Sequence, residues 1–240
     1  VQYLLLGSYT KAGESFRINY DLQDARTGKT IDAAQVEVKG EENIFAQVDE
    51  LTRKIKGGLK ISPEMMASDI DVPLGQITTR NPEALKFYAE GRSQFYRKGD
   101  IASGIKSLER AVALDPEFAL AYRELGEAYV GYWQVSIGLE YLRKALDLKE
   151  RLPLRERYMI EASYYRQSPQ TVGKAIDALN NLLGIYPDDF MARLDLAWIY
   201  LQGGMELDRA ISLGEALWKL KYLEAGELLL SYYLAKGWTQ

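Results

Sequence analysis

The chain of 240 residues contains neither cysteine nor histidine. Without cysteine there are no disulfides, thiolate metal sites or cysteine nucleophiles, although the absence suits a reducing and an oxidising compartment equally. Without histidine, the usual general base near neutral pH and the commonest ligand of catalytic zinc are both missing. Most hydrolase and metalloenzyme designs are therefore closed, and neither a metal nor another cofactor is expected. Long apolar runs are lacking too. None approaches the ~20 residues of a spanning helix, and the opening Val1 to Leu6 is short and has no basic leader. One-sided charge is the last absence: 30 basic and 34 acidic residues, net −4, are mixed along the chain. That mixture argues against a nucleic-acid partner and, with no apolar span, predicts no direct membrane contact.

What is present begins with strands. From Ser15 to Asp24 apolar and polar residues alternate, placing Phe16, Ile18, Tyr20 and Leu22 on one face. Gln2 to Thr10 is strand-like and joins it through Lys11-Ala12-Gly13-Glu14, while Arg26-Thr27-Gly28-Lys29 turns into a third strand, Thr30 to Lys39. Ile44, Val48, Leu51 and Ile55 then recur at helical spacing, predicting a helix that stops near Gly57-Gly58. Three strands and a helix in about 60 residues make a thin core. With no initial methionine, this predicts a fragment of a longer protein with more sheet upstream. The first strand's edge is then open to a second copy of the chain, giving a homo-oligomer.

Residues 61–80, with Pro63, Pro73 and Gly75, read as a linker. Met65 and Met66 within it pin the linker to a neighbouring helix or, less simply, contact a lipid or ligand. Beyond residue 81 the pattern is helical and repeats. Tyr88 and Tyr122, Phe95 and Tyr129, Gly104 and Gly138, Leu108 and Leu142, and Ala111 and Ala145 are each 34 residues apart. After a three-residue insertion, Ala175, Leu179 and Leu182 follow Gly138, Leu142 and Ala145 at 37. Leu196, Ala197, Tyr200 and Ala210 carry a fourth unit, and a final helix is predicted from about Leu223 to Lys236.

These residues resemble the tetratricopeptide-repeat (TPR) family. The resemblance implies a mainly α fold, a right-handed solenoid of antiparallel helix pairs, preceded by a small α+β part. The expected division is 1–60, a partial α/β domain, 61–80, a linker, and 81–240, about four repeats and a terminal helix. Gly126, Gly104, Gly138 and Ala175 fit close helix crossings. Arg92 and Ser163 stand where the family has a small residue, Arg166 where it has an aromatic, and Glu150 where it has a closing proline, so the connection from Leu148 to Glu156 is expected to turn late, at Leu152-Pro153. The stretches Leu6 to Tyr9, Arg17 to Asn19 and Leu22 to Lys29 resemble the later half of the TolB amino-terminal type of α/β domain. Bacterial proteins of that kind join it to TPRs, often behind a kinase, cyclase or winged-helix module. That resemblance leaves the compartment open between bacterial periplasm and cytoplasm, including the soluble part of a membrane-anchored protein.

By the TPR resemblance, the first helix of each pair lines a concave groove that binds a protein or peptide. The positions are Ser93, Tyr96 and Arg97; Arg123 and Glu127; Arg157, Ile160, Tyr164 and Gln167; and Leu194, Trp198 and Gln202. Arg123 and Arg157 are expected to be exposed, whereas Tyr164 and Trp198 serve either a partner or internal packing. Ala89 and Ser93 stand where chaperone-tail readers have a lysine and asparagine clamp, so that specialisation is set aside. An enzyme would need paired carboxylates or an activated group. Asp188-Asp189 follows Pro187 at a helix start, where capping is the simpler role. Glu41-Glu42 is the other such pair, and Gly203-Gly204 lacks the residues of a phosphate loop. The sequence thus predicts a non-catalytic interaction scaffold, with a sensory or regulatory segment of a larger signalling protein as the alternative.

Overall fold

The computed structural model describes residues 3–40, 43–59, 78–202 and 207–219. The methionine pair, most of the linker, Glu41-Glu42, Gly203-Gly204 and the terminal helix expected from Leu223 lie outside them.

Three strands, β1 (Tyr3–Ala12), β2 (Ser15–Asp24) and β3 (Thr30–Lys39), form an antiparallel sheet in that order. The first hairpin is tighter than expected. Lys11 and Ala12 belong to the strand, and Ala12 pairs with Ser15 across a turn in which Gly13 takes φ 63°. The second turn is tied by Asp24, whose Oδ1 accepts the Arg26 and Thr27 amides. Helix α1 (Ile44–Gly58) lays Leu51, Ile44 and Ile55 on Tyr20, Leu22, Val36 and Val38. That core draws on β2 and β3. Every residue of β1 stays exposed, including Tyr3, Leu4, Leu5, Leu6 and Tyr9.

The remaining described residues form eight helices in four pairs: α2 (Pro82–Lys98) with α3 (Ile101–Leu114), α4 (Ala119–Gly131) with α5 (Val135–Asp147), α6 (Leu154–Tyr165) with α7 (Val172–Ile185), and α8 (Phe190–Gln202) with α9 (Leu207–Lys219). Local signals set their ends. Asn81 accepts the Glu83 and Ala84 amides ahead of Pro82, and Asp100 accepts the Ser103 amide. Asp189 accepts the Ala192 amide, while Asp188 pairs with Arg193, so these carboxylates cap and brace a helix start as expected. Between α5 and α6 a 3-10 turn over Lys149–Arg151 leads to extended Leu152 and Pro153, where the chain turns.

The pairs close on small residues. A Cβ on Gly126 would lie 2.6 Å from Leu142 Cγ and 2.9 Å from Gly138 O. In the first pair the partner of Gly104 is Gly91, one residue before the position the 34-residue spacing indicates, and Arg92 is thereby released to the surface. Each pair covers its neighbour: Phe118 and Ala121 of the second unit are buried with Tyr88 and Leu108 of the first, and Ala192 and Leu196 with Leu179 and Leu182. Stability in such an array resides in these neighbour interfaces.

Candidate functional site: a charged ladder across the first helices

Polar side chains of α2, α4, α6 and α8 form a continuous ladder. Tyr96 donates its hydroxyl to Glu124 Oε2 at 2.9 Å, and Arg123 Nη2 donates to Glu124 Oε1 at 3.0 Å. Arg92 lies 3.6 Å from the same carboxylate, its guanidinium over the rings of Tyr88 and Tyr96. On the next rung Glu127 Oε1 accepts Ser163 Oγ at 2.5 Å and Arg166 Nη2 at 3.3 Å, and Arg166 Nη1 reaches Asp195 Oδ1 at 3.2 Å. Three arginines thus face three carboxylates.

The rungs are partly withdrawn from water, which gives the charges their strength. Burial would lower the pKa of Arg123, but Glu127 and Glu124 more than offset it and hold the guanidinium firmly protonated. Burial likewise opposes ionisation of Glu127, yet Arg123 and Arg166 bring its pKa below the ordinary value. At Asp195 burial prevails over the pull of Arg166, and its pKa is raised. Burial and Glu124 push the Tyr96 hydroxyl well above its ordinary value. Arg123 Nε is buried and has no hydrogen-bond acceptor.

The expected groove residues divide. Tyr96, Arg123 and Glu127 come together in the ladder, but the Arg123 side chain is 14% exposed rather than open, because its neighbours need it. Arg157 is diverted: Nε donates to Leu152 O at 2.6 Å, and the other nitrogens hold Glu150. It fastens the inserted turn. Leu194 and Ile160 are core residues, the first packed with Ala197 and Leu217, the second with Ala119, Ala145 and Leu152. Trp198 rests half-buried against Leu194 and Leu217. Tyr164 meets the Tyr165 ring edge-on, and Gln167 donates to Ser163 O. Arg97 and Gln202 are exposed at the ends of α2 and α8, off the ladder. Arg92, Glu124, Ser163, Arg166 and Asp195 were missed. The signal available for three of them was their departure from, or neighbourhood to, the repeat pattern.

The ladder offers hydrogen-bond donors and acceptors with no net charge. Among the described residues there is no group of three or more Asp or Glu placed to hold a metal ion, and no helix is long and apolar enough to cross a membrane. A family model described as TPR repeat matches residues 93–131. A thermophilic TPR protein of Thermus thermophilus, TTC0263, superposes with a TM-score of 0.50 at 21% identity, covering 64% of this chain and 83% of that one. The eight-helix region has the tetratricopeptide-repeat fold. A Rhizobium meliloti (strain 1021) protein named "Putative adenylate cyclase 3" is 29% identical over 127 residues, 52% of this chain. The match spans 21% of that relative's length. The TPR assignment explains why the ladder exists: stacked repeats place equivalent positions of successive first helices side by side.

Proposed function

We propose that this TPR array is a non-catalytic scaffold that holds a protein or peptide partner against the concave side formed by its first helices. One observation carries the reading: a ladder of polar and charged side chains connects all four first helices, and Arg123 Nε within it has no partner of its own. A ligand carbonyl or carboxylate that displaced the side chains covering this buried atom would supply the missing acceptor, and a charged hydrogen bond of this kind contributes about 1.5–3 kcal/mol. Tyr96 and Glu127 flank it, and Arg97 and Gln202 supply exposed polar contacts at the groove's edge. Tyr164, Gln167 and Trp198 remain contacts of second rank, since their side chains already serve neighbours.

The test is affinity isolation with the whole chain, identification of the captured partner, and titration of that partner against Arg123→Met, Tyr96→Phe and Glu127→Gln. Losses of about tenfold or more are expected. Unchanged affinity in all three, with the fold intact, would move the binding surface elsewhere.

A second reading is favoured by the cyclase-named relative. The segment would be the regulatory part of a larger bacterial signalling protein, divided into an α/β part over 1–60, a linker over 61–80 and the TPR region over 81–240. The TolB-like resemblance would then give the α/β part a ligand-receiving role. Fusion of the chain to its native neighbouring domains, assayed with and without the captured partner, separates this reading from a free-standing scaffold.

A further inference from the structure

Repeat two has an aromatic residue where repeat one has glycine. Gly99 caps α2 with φ 64°, and Trp133, 34 positions on, follows the Tyr132 cap of α4 with φ 63°. A left-handed backbone is costly for any residue with a Cβ and is rare for a bulky one. The backbone gains hydrogen bonds from the Trp133 and Gln134 amides to the Val130 and Tyr129 carbonyls, but the side chain adds no packing, since Trp133 is 91% exposed. Tyr132, Val135 and Ile137 beside it are exposed large apolar residues, and Gly131 to Ile137 includes no charge. The loop is a convex apolar knob on an otherwise polar edge.

That edge is built by the loops joining first to second helices, which stacking brings to one side of the array. The preceding loop, one repeat away at roughly the 10 Å of helix packing, carries exposed Arg97 and Lys98. Lys174, near the start of α7, adds a third exposed cation and lies against Tyr165. The acid on the first loop, Asp100, already accepts the Ser103 amide. Indole and phenol rings favour the boundary between water and hydrocarbon, and cations beside them favour anionic headgroups.

We propose that this edge is a peripheral contact with an anionic lipid surface, in which Tyr132 and Trp133 enter the interface while Arg97 and Lys98 face the headgroups. This contact shares Arg97 with the groove's edge, but its apolar residues Tyr132 and Trp133 take no part in the groove. It departs from the expectation of no direct membrane contact, because loops 34 residues apart meet only in the folded array. A second copy of the chain fits less well. The four apolar side chains offer roughly 400–600 Å², short of the ~800 Å² per partner of a standard interface.

The test is sedimentation of the 240-residue chain with vesicles of phosphatidylcholine alone and of phosphatidylcholine mixed with phosphatidylglycerol. Binding is expected to the mixed vesicles and to weaken with salt. Trp133→Gly, which keeps the backbone conformation accessible, should lower the partition at least about tenfold, and Arg97→Gln with Lys98→Gln should reduce the salt dependence to what Lys174 alone supports. A thermal melt of each variant verifies folding. Absence of binding, wild-type binding by Trp133→Gly, or equal binding to both vesicle types would overturn the proposal. So would self-association by light scattering that Trp133→Gly abolishes in a chain that ignores vesicles.

Discussion

Gly126 has no room for a methyl group, with Leu142 and the Gly138 carbonyl within 3 Å of where a Cβ would stand. Gly126→Leu should therefore cost about 1–3 kcal/mol or more by overpacking. Gly173→Ala, on α7 with nothing within 4 Å of its Cβ, should be neutral or stabilising. Urea titration of the two variants checks the contrast. Trp133→Gly should raise stability by about 1 kcal/mol, because relief of the left-handed backbone loses no packing. Arg157→Ala should lower it by about 1.5–3 kcal/mol through the freed Leu152 carbonyl, while leaving partner affinity unaltered. Glu127 sets the acid response. Arg123 and Arg166 outweigh burial and hold its folded pKa below the ordinary 4.5. On acidification the unfolded chain takes up this proton first, so the stabilisation is complete above about pH 4.5 and is lost as pH falls through the lower folded value. Glu127→Gln should consequently be less stable than the parent at about pH 7, with the gap narrowing below about pH 4.5. A gap independent of pH would show that the carboxylate's charge is not what counts.

Among the elements, β1 is the one whose apolar residues find no cover. It pairs with β2 along its whole length, yet Leu5 and Tyr9 on one face and Leu4 and Leu6 on the other stay open, and among the described residues its outer edge has no strand partner. The chain should form dimers through this edge, visible as a concentration-dependent mass in light scattering. Leu5→Lys should return it to monomer without disturbing the core on β2 and β3. The helices and strands were legible in the sequence because each has one dominant period: two for Ser15 to Asp24, and 34 for the helix pairs. The side-chain site was less legible. Position within the repeat placed Tyr96, Arg123 and Glu127 on the right helices, but family spacing could not reveal that Arg157 would turn back to the Leu152 carbonyl. Nor could it foresee that Leu194 would be drawn into the core with Leu217. The first outcome depends on the inserted turn at Lys149–Arg151, outside the repeating signal, and the second on how side chains of α8 pack against its paired helix α9, which spacing alone does not specify.

For the whole molecule, the placement of ties matters more than their number. Thr79 is bonded to Asp115, Arg151 to Glu117 and Arg155 to Asp189, so the loops that connect one repeat to the next are fastened in succession along one margin. Along the opposite margin Gly99 has no side chain and Trp133 projects into solvent. The array is therefore mechanically lopsided. Tension along its axis should make it open like a fan, pivoting on the stitched margin and spreading at the other, where the ladder contacts of Tyr96 with Glu124 and of Arg166 with Glu127 are the restraint, so that curvature changes before length does. Added salt would slacken the stitches, and small-angle scattering should register the loss of stiffness as a broader range of curvatures at constant helix content.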